Sequence, residues 1–204
     1  MVNASTANRN GLMTNDSKFA AVLLAAGLSR RSGPANKLLR DIDGNPMIHR
    51  AAVNLLASKA SAIIVVTGHE QSAVQDALAG QPISWAHNAN FASGMASSIG
   101  VGIRALDTDI AGALICLADM PHIEPATFNV LIDAFDPEHG AEICVPAHQG
   151  RRGNPALFAR RFFDDLCHLE GDRGGKMIID GNPNAVVEID TGDPGIHIDH
   201  DTMD

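Results

Sequence analysis

Residues 24 to 37 read L-A-A-G-L-S-R-R-S-G-P-A-N-K and follow directly on an apolar run, Phe19 to Leu24. The small residues around Leu24, Ala25, Ala26, Gly27 and Ser29 let backbone N–H groups approach an anion closely. Arg31 and Lys37 add fixed positive charge beside them. Few ligands call for both features together, and a nucleoside triphosphate is the commonest. The stretch is neither a dinucleotide fingerprint, because G-x-G-x-x-G is absent, nor a P-loop, because no G-x-x-x-x-G-K-[ST] follows. The G-D-R-G-G-K at Gly171 to Lys176 has the wrong spacing for one.

A second constellation is C-L-A-D-M-P-H-I, Cys116 to Ile123. Asp119 ends an apolar strand, where a bare carboxylate is costly unless something balances it. A Mg²⁺ ion held by carboxylate and phosphate oxygens would do so; a cap on the helix after Pro121 is the structural alternative. In N-A-N-F-A-S-G-M-A-S-S-I, Asn88 to Ile99, Gly94 breaks the chain and a helix starts on small residues. Its N-terminus offers N–H groups and hydroxyls to a base edge or a phosphate, or is simply a capped helix packed on the sheet. Thr67 and Gly68, after the second long strand, are expected to wall the same pocket. The carboxyl end, H-I-D-H-D-T-M-D, puts His197, Asp199 and Asp201 on one face of an extended strand. Three ligands from one strand converge poorly on a tetrahedral ion, which argues against a dedicated zinc site there. The other histidines, including His49, His69, His122 and His148, are scattered and read as surface or structural.

These residues need a scaffold, and the pattern supplies one. Apolar runs at Ala20–Ala25, Ala62–Thr67, Ile83–Ala86, Ala113–Leu117, Ile143–Pro146, Ala156–Phe158 and Val186–Ile189, with a last one near Ile196–Ile198, read as strands. Amphipathic segments at about Pro46–Ser58, Gln71–Leu78, Met95–Leu106, Pro125–Phe135, Phe162–Leu166 and Gly174–Asp180 read as helices. Pro46 and Pro125 suit first-turn positions, and Glu70 suits the start of the second helix. Alternation of strand and helix predicts an α/β, three-layer Rossmann-like fold with a mostly parallel sheet and helices on both faces. Ligands in such sheets gather at the carboxyl ends of strands near the switch in strand order. The alternation breaks after about Gln149, and that part is expected to complete the sheet and handle a second substrate.

Composition sets the outer bounds. The chain has 204 residues, 45% hydrophobic and 19% charged, so it can bury a sizeable core as one domain. The net charge of −9 argues against a duplex nucleic-acid partner. No stretch reaches the length of a membrane span. Cys116, Cys144 and Cys167 form no C-x-x-C pair and no disulfide framework, which fits a cytoplasmic protein. Residues 1–17 are polar and aperiodic and are expected to form a disordered tail ahead of a domain over 18–204.

The signature L-A-A-G-x-S-x-R-x-G-x-x-N-K resembles that of nucleotidyltransferases that build dinucleotide forms of the molybdenum cofactor, and most of all the molybdenum cofactor cytidylyltransferases. Sugar-nucleotide pyrophosphorylases usually carry G-T-R or G-x-R with a following P-K, whereas this chain has S-R-R and N-K. Ala26 stands where the guanylyltransferase relatives usually have glycine, which implies CTP. Ser32 departs from the family, which mostly has Met or Phe there. The resemblance implies a GT-A-like nucleotidyltransferase fold and transfer of CMP from CTP to molybdopterin, with release of pyrophosphate. By the same resemblance, Arg31, Lys37 and Asp119 are catalytic, and Asp119 with Asp201 or Asp199 holds Mg²⁺. Gly94, Met95 and Ser98 lie against the nucleotide. Arg152, Gly153, Asn154 and Pro155, from R-R-G-N-P-A-L-F, meet the acceptor; a tight turn entering a strand is the other reading of that segment. Arg173 and Lys176 meet the acceptor phosphate or only cap a helix. His200 and Met203 depart from the D-I-D-T-P-E-D ending of the family. A molybdenum hydroxylase or its maturation chaperone is the implied recipient. Two other readings are kept: a sugar or polyol phosphate as acceptor, and a chaperone that carries finished cofactor without turnover.

Overall fold

A computed structural model describes residues 17–28 and 36–200. The expectations placed on residues 1–16, Ser29, Arg31 and Asp201 lie outside the described residues. Strands are β1 (Lys18–Ala25), β2 (Asp41–Ile42), β3 (Asn45–Pro46), β4 (Ala62–Thr67), β5 (Ser84–His87), β6 (Ile110–Leu117), β7 (Ile143–His148), β8 (Arg151–Arg152), β9 (Ala156–Ala159) and β10 (Val186–Asp190). Helices are α1 (Met47–Leu56), α2 (Gln71–Ala77), α3 (Met95–Arg104), α4 (Pro125–Asp133), α5 (Phe163–Cys167) and α6 (Lys176–Gly181).

The main sheet has the order β10-β7-β9-β6-β1-β4-β5, with β8 paired to β7. β1 runs parallel to β4 and β6, β4 parallel to β5, and β7 parallel to β10. β9 lies antiparallel between β6 and β7, and β8 is antiparallel to β7, so the sheet is mixed on that side. Strands with helices on both faces must be apolar on both faces. β1 obeys this: Ala20, Ala21, Val22 and Leu23 are all fully buried.

Helix contacts fall into two groups, α1 with α2 and α4, and α3 with α5. α3 sits directly on the sheet because Gly102 lacks a side chain. A Cβ there would stand 2.2 Å from Val22 Cγ1 and 3.0 Å from Val66 Cγ2. Since α3 follows β5 and leads back to β6 on the far side of β1, its N-terminus lies at the carboxyl ends of the strands. The strand order reverses at β1, so the switch point falls between β1 and β6.

Three local features differ from the sequence reading. The run near Ile196–Ile198 is no strand: Pro194–His197 forms a 3₁₀ turn, opened by Asp193, whose side chain accepts the Gly195 N–H. Proline at the turn's first position and the missing donor there favour a turn over a ladder. β2 and β3 form a small hairpin across Asp43 and Gly44, both at positive φ (54° and 87°), the arrangement a two-residue Asp-Gly loop adopts. β8 turns the segment after Gln149 back onto β7. Glu70 does precede α2, but at φ 50° and without a side-chain cap bond.

Candidate active site at the switch point

β1 delivers Ala26 and Gly27 to the carboxyl edge, and its ladder with β6 continues one step beyond the strands through Ala118 N–H to Leu24 O, 3.2 Å. This sets Asp119 immediately beside the end of β1. Asn36 opens the next turn, its Oδ1 accepting the Leu38 N–H at 3.1 Å, so that Lys37 heads a short 3₁₀ turn over Lys37–Leu39. Lys37 Nζ then donates to Asp119 Oδ2 at 2.6 Å. Their side chains are 13% and 18% exposed, so the pair is largely withdrawn from water. The Asn36 Nδ2 donor is buried without a partner among the described residues. A shielded ammonium and carboxylate, with small-residue backbone on one side, is a polar nucleus able to take a polyphosphate and its cation.

The opposite wall comes from β4 and the loop before α3. Gly68 is wedged between Ala26 and Phe91, where a Cβ would meet Phe91 Cβ at 2.7 Å and Ala26 Cβ at 2.9 Å. Thr67 is fully buried, its hydroxyl directed to Ala86 O and the His87 ring. Asn88, also buried, donates to Ser97 Oγ at 2.8 Å and Ser98 Oγ at 2.9 Å and accepts the Asn90 N–H. Thr67 and Ser98 therefore hold the wall together from inside. Gly94 has φ 115° and no room for a Cβ, which would stand 2.4 Å from the Gly171 carbonyl atoms. Gly171 O in turn accepts the Ala96 N–H at 3.0 Å. One of the free donors of the α3 N-terminus is thus taken by the 171–175 loop.

That loop roofs a cleft of about 590 Å³ on the α3 face of the sheet. Ile115, which stands in register with Val22, forms its floor with Leu117, Val145 and Phe158. Met95 stands at its rim, and Arg152, Gly153, Asn154 and Lys176 line it as well. Gly175 lies against Phe158, 2.5 Å from where its Cβ would sit, which brings the α6 N-terminus down to the sheet. Arg152 Nη2 donates to Glu188 at 2.7 Å, and this hydrogen bond raises the guanidinium pKa still further. Gly153 and Asn154 are fixed by the terminal segment: Asn154 N–H donates to Ile196 O at 3.1 Å, and a Cβ on Gly153 would meet that oxygen at 2.5 Å. The Asn154–Pro155 peptide is cis. Arg173 is exposed and reaches back to Met177 Sδ rather than into the cleft.

The terminal segment closes the site from the other side. Buried Asp193 accepts from Glu124 N at 3.0 Å and Thr127 Oγ1 at 2.7 Å, clamping the segment to the start of α4. Its continuation brings His200 N–H to Asp119 O at 3.2 Å and His200 Nε2 to within 3.1 Å of His122 Nε2. Burial, then the neighbouring His200 and Arg50, hold the His122 imidazole below its ordinary pKa. Asp199 is exposed. Sequence reasoning missed the Asn88 and Asp193 clamps and the histidine pair. The D-P-G at Asp193–Gly195 was a readable turn signal for one of them.

Residues 21–186 match the MobA-like NTP transferase domain. The chain belongs to the MobA-like NTP transferase family. Its match spans the L-A-A-G to N-K signature, the Lys37–Asp119 pair and the cleft. Within the family's reach, the chain is 27% identical to the nicotine blue oxidoreductase of Paenarthrobacter nicotinovorans, over 90% of this chain and 92% of that one. It is 28% identical to a probable molybdenum cofactor guanylyltransferase of Natronomonas pharaonis, over 61% of this chain and 60% of that one. The crystal structure of Rv0371c from Mycobacterium tuberculosis superposes with a TM-score of 0.78 at 26% identity, covering 91% of this chain and 94% of that chain. The nucleotidyltransferase-type α/β fold of this MobA-like chain is thereby shown.

Proposed function

We propose that this chain transfers a nucleotidyl group from a nucleoside triphosphate to a phosphorylated small-molecule acceptor and releases pyrophosphate. The observation that carries the reading is the shielded Lys37–Asp119 pair at the β1/β6 switch point, 2.6 Å apart and within a family defined by NTP transfer. An acceptor phosphate oxygen attacks the α-phosphorus, the bond from that phosphorus to the bridging oxygen breaks, and pyrophosphate carries away the electron pair. The acceptor is already anionic, so no protein nucleophile is required, and catalysis rests on positioning and charge neutralisation. Backbone N–H groups near Ala26 and Gly27, with Arg31 and Lys37, hold the β- and γ-phosphates. Gly94, Met95 and the Asn88–Ser98 wall, with Thr67 and Gly68 behind it, shape the nucleoside side. Arg152, Gly153, Asn154, Pro155 and Lys176 shape the acceptor side, and Arg173 stands outside it.

The donor set fits a Mg²⁺ ion. This cation is commonly bound through one or two carboxylates and the substrate's own phosphates, and the largely shielded Asp119 offers one hard oxygen ligand. Asp119 would hold it with Asp201 or Asp199, and it would supply neutralisation of charge on the reacting phosphate. Lys37 orients the Asp119 carboxylate through their 2.6 Å contact, and its ammonium is within reach of an incoming phosphate.

For the acceptor, the broad class is favoured, a sugar or polyol phosphate included. The relative with a molybdenum cofactor in its name aligns to 61% of this chain, while the one aligning to 90% bears an unrelated name. Cytidylyl transfer to molybdopterin is a narrower reading, carried by the N-terminal signature and by the apolar floor of the cleft at Ile115, Leu117 and Phe158, which suits a flat heterocycle. Offering CTP, GTP and ATP separately with sugar phosphates, polyol phosphates and molybdopterin, and following pyrophosphate and products, tests both readings. No pyrophosphate with any pair would overturn the transfer reaction and leave a cofactor carrier as the reading.

A further inference from the structure

The two imidazoles beside Asp119 are not accounted for by phosphate chemistry. His122 follows the β6 end by a few residues, and His200 lies on the returning terminal segment. Their Nε2 atoms face each other at 3.1 Å, with ring centroids 5.2 Å apart and planes tilted by 39°. Two metal–nitrogen bonds of about 2.0–2.1 Å meeting at a tetrahedral angle put the nitrogens about 3.3 Å apart. The observed separation is close to that span.

The backbone that carries each ring is fixed. The His122 carbonyl packs on Gly195 so tightly that a Cβ there would stand 2.3 Å from it. His200 is tied through its N–H to Asp119 O, and the turn before it by Ile198 N–H to Gly195 O at 3.2 Å. The Arg50 cation near His122 is offset by its ion pair with Asp43. Both histidines remain partly exposed, which leaves an entry path. Among the described residues no third His, Cys, Asp or Glu completes a cluster with them, so a bound ion would keep positions for water or a phosphate oxygen.

We propose that His122 and His200 form a two-histidine site for a borderline divalent cation such as Zn²⁺ or Co²⁺, separate from the carboxylate ligand Asp119. Imidazole nitrogen suits these ions, whereas Mg²⁺ takes oxygen ligands and gains nothing from the pair. The inference does not depend on which acceptor the chain uses.

The test titrates metal-stripped full-length protein with Zn²⁺ alone by calorimetry and with Co²⁺ alone by visible absorption. One ion per chain is expected, undiminished by excess Mg²⁺, with affinity reduced about tenfold or more in His122→Gln and in His200→Gln, each compared by its melting curve. Asp119→Asn is expected to retain the ion. In the unmodified protein, Zn²⁺ should shift the ¹⁵N resonances of both Nε2 atoms, a readout that needs no variant to fold. Absence of binding, displacement by Mg²⁺, unchanged affinity in both histidine variants, or unmoved Nε2 resonances would each overturn the proposal and leave the pair as an imidazole–imidazole hydrogen bond.

Discussion

Lys37 Nζ and Asp119 Oδ2, from residues 82 apart in the chain, meet at 2.6 Å where β1 and β6 end side by side. The contact joins the L-A-A-G to N-K signature to the D-x-P motif and makes one electrostatic unit of them. Losing one preorganised contact of this kind typically costs about 10²–10³ in rate. Asp119→Asn should therefore lower pyrophosphate release by that range, and should also lower the melting temperature, because the Lys37 ammonium, itself largely withdrawn from water, loses this counter-charge. Lys37→Ala should act mainly on the KM for the triphosphate. Turnover within about twofold of the parent in Asp119→Asn would remove the carboxylate from the reaction.

Much of this arrangement is legible in the amino-acid sequence. The buried runs at β1, β4 and β6 are long, apolar and followed by small or acidic residues, so both their existence and their chemical ends could be read. Where sequence reasoning failed, the cause was pairing over distance. Nothing local marks β9 as reversed between β6 and β7. Ile196–Ile198 has apolar alternation, but Asp193 and Pro194 commit it to a turn. Gly171 as the acceptor for Ala96, or His122 as the neighbour of His200, depends on tertiary closure that spacing does not encode. The Asp43-Gly44 hairpin was readable from its dipeptide.

Gly94 should be intolerant of any side chain for two separate reasons. Its φ of 115° strains an L-residue, and its Cβ would overlap the Gly171 carbonyl at 2.4 Å. Gly80 provides the comparison, with φ 81° and nothing within 4 Å. Backbone strain of this type costs about 1–3 kcal/mol, and each kcal/mol lowers the melting point of a chain this size by about 2–4 °C. Gly80→Ala should show that cost alone. Gly94→Ala should lose more and also weaken nucleotide binding, because the 171–175 loop must shift away from the α3 N-terminus. Equal melting points for the two variants would show that the loop yields freely.

The cysteines give a pH prediction. Burial pushes the Cys144 thiol up to about 12, pushes Cys116 up as well, and raises partly exposed Cys167. At pH 8 a thiol of pKa about 12 is ionised in only about one molecule in 10⁴. Native protein should leave Cys116 and Cys144 unmodified by a thiol reagent over the time in which unfolded chains react at all three positions. The sign for stability follows. The folded state keeps these thiols neutral, so their contribution is intact below the unfolded pKa of about 8.5. It is lost as pH rises from there toward the folded value, because unfolding then releases protons. Unfolding midpoints measured across pH 7–10 should fall on the alkaline side.

Asp193 links stability to the site. It is buried, and its two oxygens accept from Glu124 N, Thr127 Oγ1 and Gly195 N. Hydrogen bonds to a charged group contribute about 1.5–3 kcal/mol each, and truncation would leave buried donors unpaired. Asp193→Ala should therefore lower the melting temperature by several degrees and loosen residues 194–200. Those residues supply the Ile196 carbonyl that holds Asn154 and the His200 N–H that holds the Asp119 carbonyl. Loss of the clamp should accordingly raise the acceptor KM and increase proteolytic cutting after residue 193, with Asp193→Asn intermediate because it keeps one acceptor oxygen. A melting loss with unchanged acceptor KM would confine Asp193 to folding and detach the terminal segment from the site.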